Sequence, residues 1–84
     1  MKSQISVTLF GEIQNDAVVK LPGRANPGVV VQGDTLGELR SRAMDVLGLL
    51  DDGNQQEAKD ELNYLVERLD AMLMTIKLEV EDNA

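Results

Sequence analysis

The residues best placed to do chemistry in this sequence are Arg24, Asn26, Gln32, Asp34, Arg40 and Arg42. Gly33-Asp34-Thr35 reads as a helix start. Such a start exposes backbone N–H groups and the positive end of a helix dipole, which together hold a phosphate or carboxylate. Arg24 from the preceding loop, with Arg40 or Arg42 from the first turns of the helix, can close over that anion, because guanidinium groups recognise oxyanions in bidentate fashion. A competing reading gives the helix end to Asp34 and Glu38 as caps, which would repel an anion. Asn26 and Gln32 bracket a valine run. They can read a ligand or partner, or they can satisfy turn and edge-strand hydrogen bonds.

Other chemistries are poorly supported. The 84 residues include no cysteine and no histidine, so thiol nucleophiles, imidazole bases, disulfides and the usual zinc or haem ligands are absent. Carboxylates are abundant, but none accompanies a recognisable nucleophile, and no phosphate-loop or G-x-S-x-G pattern occurs. Asp51-Asp52-Gly53-Asn54 resembles a fragment of a calcium loop without the twelve-residue ligand spacing, and it reads as a helix stop. No catalytic residue, metal or cofactor is expected.

Charge narrows the partners. The net charge is −7. Residues 1–50 balance to zero, and all the excess acid follows Leu50. A basic nucleic-acid-binding surface is not expected. The acids Asp60, Glu61, Glu67 and Asp70 form either a solvated face or a surface for a basic partner. No apolar run reaches the length of a membrane span and no signal peptide is apparent, so a cytoplasmic protein is expected.

The elements that must position these side chains follow from periodicity. Residues 5–13 read as a strand with Ile5, Val7 and Leu9 on one side, and Phe10-Gly11 as a bend. Gln14-Asn15-Asp16 reads as a turn, and residues 17–21 as a second strand antiparallel to the first. Pro22-Gly23 favours a turn. Val29-Val30-Val31 reads as a third strand, buried on both faces or at the sheet centre. Thr35-Leu36-Gly37-Glu38 matches a capping box, opening a helix of about 16 residues that ends at Asp51-Asp52-Gly53. A second helix of about 24 residues carries Ala58, Leu62, Leu65, Leu69, Met72 and Ile76 at steps suited to a helix–helix seam. Residues 74–81 also alternate like a strand; with no breaker before them, continued helix is favoured.

The run LPGR…NPGVVVQGDTL resembles the signature of a family of small uncharacterised bacterial proteins. The likeness implies strands followed by two helices and carries no activity. Its shorter piece, through Pro27, Gly28, Gly33, Asp34, Thr35 and Leu36, is similar to HicB-like antitoxin half domains, which implies a partner-binding module. Where that family usually carries a separate DNA-binding segment, this sequence has a long acidic helix and no basic recognition element, so DNA binding is not expected.

The expectation is therefore an α+β protein, a three-stranded antiparallel sheet followed by two packed helices (β-β-β-α-α) in a single small domain. Residues 1–34 supply the sheet and 35–84 the helical hairpin, with a frayed tail from about residue 81. The expected function is non-enzymatic binding of a protein partner, as an antitoxin-like, immunity-like or regulatory protein. The alternatives are a binder of a nucleotide or other anionic metabolite, with Arg24, Arg40 and Arg42 ringing a pocket at a dimer interface, and a structural subunit of an assembly. The longer second helix would overhang the first and expose Leu73, Ile76 and Val80, which suggests a homodimer through those residues.

Overall fold

Five elements follow one another along the chain: β1 (Thr8–Phe10), β2 (Val18–Lys20), β3 (Gly28–Val29), α1 (Gly33–Asp51) and α2 (Gln55–Asp82). The computed structural model describes residues 2–11 and 16–82. The strands form one antiparallel sheet in the order β1-β2-β3, and the two helices complete a single small β-β-β-α-α domain. Within it the chain divides into two compact units, Met1–Val31 with Met72–Ala84, and Gln32–Ala71.

In the first unit, Pro22 and Gly23 make the turn between β2 and β3. The Arg24 N–H donates to the Leu21 carbonyl at 3.2 Å, and Gly23 takes φ +77°, the arrangement of a type II turn with proline second and glycine third. The register pairs Phe10 with Val18 and Val18 with Val29, so these three side chains share one side of the sheet. That side holds the core: Val18 is 1% exposed, and Met72 of α2 is buried in the same unit. The Glu79 carboxylate, from a late turn of α2, lies against Gly11. Gly11 bends the chain directly after β1 with φ +81°.

The strands are shorter than their apolar patterns. Pairing begins at Thr8, leaving Ile5 and Val7 exposed before it. The expected turn at residues 14–16 lies outside the described residues except for Asp16, which adopts φ +61°. The valine run corrects an expectation. β2, not β3, is the central strand. The two-residue alternation turns Val29 toward the core side and Val30 to the opposite side, where it is 47% exposed.

In the second unit, α1 starts earlier than a Thr35 cap would allow. Gln32 has the extended backbone of a capping residue (φ −68°, ψ 152°), and its carbonyl accepts the Leu36 N–H at 2.9 Å. Thr35 therefore sits inside the first turn, where its N–H meets Asp34 Oδ1 at 2.8 Å. Glu38 turns forward to Arg42 instead of back to the cap. The far end matches its glycine. Asn54 N–H donates to the Leu49 carbonyl and Gly53 N–H to that of Leu50, with Gly53 at φ +79°, the paired bonds of a Schellman cap. The Asn54 carbonyl then accepts the Ala58 N–H at 3.0 Å and opens α2.

Residues 74–81 are helical, as favoured, and α2 runs unbroken for 28 residues. The expected seam along α2 divides in two. Ala58 and Met72 are buried and Leu65 is half-buried, whereas Leu62 and Leu69 are exposed. The protected strip of α2 runs instead through Ala58, Glu61, Leu65, Arg68 and Met72. Of the residues expected to overhang, Leu73 is exposed, while Ile76 and Val80 are half-buried.

Candidate functional site

The Leu21–Arg24 turn is the element that gathers functional side chains. Pro22 fixes one backbone angle and Gly23 supplies the positive one, so Arg24 leaves the turn at the edge of the sheet in a defined position. Two open hollows meet there. One, of about 560 Å³, is lined by Ser6, Thr8, Lys20, Pro22 and Arg24 among others. It brings together two cations and two hydroxyls, with no carboxylate among its described lining residues. The other, of about 430 Å³, is lined mainly by Val19, Leu21, Gly28 and Val30, with Arg24 and Asn26 as its polar members. Arg24 and Leu21 belong to both.

Arg24 and Asn26 thus line one hollow. Lys20 is an addition. Its place beside Thr8 follows from the β1–β2 register, Thr8 opposite Lys20, and no local motif carries that information.

Gln32 and Asp34 lie at the start of α1. The Asp34 carboxylate already accepts a backbone N–H there and places negative charge in the first turn. Arg40 is exposed on α1. Arg42 is engaged within the hairpin: Nη1 donates to Glu61 Oε1 at 2.6 Å, Nε donates to Glu38 Oε1 at 3.2 Å, and the guanidinium lies 4.0 Å from the centre of the Tyr64 ring. The hydrogen bond to Glu61, then that to Glu38, holds its pKa above the ordinary guanidinium value. Of the three arginines expected to ring one anion, Arg24 belongs to the sheet unit and the other two to the hairpin unit. Among the described residues, no group of three or more acidic residues is gathered as metal ligands would be. No helix described is long and apolar enough to cross a membrane.

Fold and site together define a small sheet-and-hairpin module with one polar, cationic turn beside an apolar sheet side. The chain belongs to a family of unknown function, DUF6959, whose model matches residues 2–82. No curated protein and no solved structure matches it.

Proposed function

We propose that this chain is a non-enzymatic binding module that holds a protein partner around the Leu21–Arg24 turn at the edge of its sheet. The observation that carries the reading is the pair of hollows sharing Arg24 and Leu21. A partner segment with aliphatic side chains beside a carboxylate matches both: the aliphatic groups meet Leu21 and Val30, and the carboxylate meets Arg24 and Lys20. The similarity of residues 27–36 to HicB-like antitoxin half domains supports a protein as the partner. A cysteine-free composition suits a reducing compartment, and the cytoplasm is where we place its action.

The Lys20–Arg24 hollow, whose described lining holds no acid, favours a second reading, a small anionic ligand, in a chain that is otherwise strongly acidic. Two measurements separate the readings. Affinity capture with the tagged chain is compared with Arg24→Glu, Leu21→Asp and, as control, Arg40→Ala. A protein partner retained by the control and lost by the other two supports the first reading; equal capture by all variants sinks it. A thermal shift with inorganic phosphate or nucleotides, present in the wild type and absent in Arg24→Ala, favours the small anion.

A further inference from the structure

We infer that the helical hairpin is one half of a homodimeric four-helix bundle, and that a second copy of this chain covers its apolar side. The inference is independent of the sheet surface proposed above.

Helical geometry, 100° per residue, places Leu36, Ala43, Leu47 and Leu50 of α1 within an arc of about 60°. It places Leu62, Val66, Leu69 and Leu73 of α2 within a similar arc of about 60°. All eight are exposed; Leu36 is 60% and Leu47 57% accessible. Neither arc is the one the helices use against each other. Arg42 bonds Glu61 across the hairpin, and the residues protected from solvent include Arg42, Val46 and Leu49 on α1 and Ala58, Glu61 and Leu65 on α2.

The two free arcs fall on the same side of the hairpin. Each lies about 100° from its helix's packing direction, in the direction of increasing residue number. Because the helices run antiparallel, equal rotations in that sense bring both arcs to one side. The spacing, alternate steps of four and three along α2, is that of a bundle seam. The opposite side is acidic, with Asp34, Glu38, Asp45 and Asp52 from α1 and Asp60 and Glu67 from α2. The hairpin is a plate with one aliphatic and one anionic side.

Charge selects a second copy as the occupant. The charges bordering the aliphatic side alternate in sign, Arg40 and Lys59 against Asp51 and Asp70, so two copies of a −7 chain can meet there without net repulsion. A face so balanced offers little attraction to a strongly charged partner or to an anionic lipid surface.

Sedimentation equilibrium of the purified full chain tests this directly. A dimer at micromolar concentration is expected, with a thermal midpoint that rises with protein concentration. Leu47→Glu and Val66→Glu should each raise the dissociation constant about 30-fold or more, as a central interface position does. Leu78→Glu, exposed on a different arc of α2, should leave it within threefold. Because the chain has no native cysteine, Ala43→Cys should form a cross-linked dimer on oxidation while Asp45→Cys, on the acidic side, should not. A wild-type monomer at 100 µM, a midpoint independent of concentration, or a dimer untouched by both glutamate substitutions would overturn the inference. If a glutamate variant fails to fold, the concentration dependence and the cysteine pair still decide it.

Discussion

Arg42 of α1 and Glu61 of α2 join the two helices by a hydrogen-bonded ion pair, Nη1 to Oε1 at 2.6 Å, with the guanidinium stacked 4.0 Å from the centre of the Tyr64 ring. Glu38, one turn before Arg42 on α1, holds Nε at 3.2 Å. The planar guanidinium uses a fork and a face together, which an ammonium group cannot do. Arg42→Ala is expected to lower the thermal midpoint, and Arg42→Lys to recover little of the loss, as followed by circular dichroism. Full recovery by lysine would show that charge alone matters.

The same bridge predicts a pH response. The hydrogen bonds with Glu61 and Glu38 raise the folded-state pKa of Arg42. Stability from a raised pKa is fully present below the unfolded value and is lost only as pH rises through the folded value. For a guanidinium that window lies far into alkali. The difference in midpoint between wild type and Arg42→Ala should therefore stay flat between about pH 7 and 10, well below the arginine range. A slope across that interval would point to another group.

Glycines 48 and 53 should respond to alanine with opposite signs. Gly53 holds the left-handed position of the Schellman cap at φ +79°, so Gly53→Ala should cost about 1 kcal/mol. Gly48 lies inside α1 with nothing within 4 Å of an added Cβ, so Gly48→Ala should stabilise by about 0.5–1 kcal/mol. Urea midpoints at equal m-value would measure both.

Gly11 combines a positive φ of 81° with the Glu79 carboxylate in the space a Cβ would enter. Gly11→Ala should cost about 1–2 kcal/mol from the backbone alone. Adding Glu79→Ala removes the obstruction but leaves the backbone cost, so a double mutant restored to wild-type stability would contradict this account.

Val18 and Val30 test the corrected sheet. Val18, at the central strand, should lose about 2 kcal/mol as alanine. Val30→Thr should fall within about 0.5 kcal/mol of wild type, as exposed positions do.

What could be read from the residues depended on how local the cause was. Pro22-Gly23 and Asp52-Gly53 were legible because a positive φ at a turn or cap is a property of one or two residues. The start of α1 was misplaced because Thr35 and Glu38 carry the capping pattern, while the Gln32 backbone takes the cap without needing its side chain in a cap bond. Three consecutive valines suit a doubly buried strand as well as an edge strand, and only the pairing with β2 decides between them. Lys20 escaped notice for the same reason, since its partner Thr8 is named by register. On α2 apolar residues occupy two adjoining stripes, so periodicity alone merges the strip facing α1 with the strip left open.

The two-sided hairpin has a consequence for how far association can proceed. A plate sticky on both sides would stack without end. Here, once two aliphatic sides meet about a two-fold axis, each outward surface carries the carboxylates of Asp34, Glu38, Asp45, Asp52, Asp60 and Glu67. In the dimer we propose, like-charged exteriors would repel further layers, so the same distribution of residues that would drive pairing would also close the assembly at two.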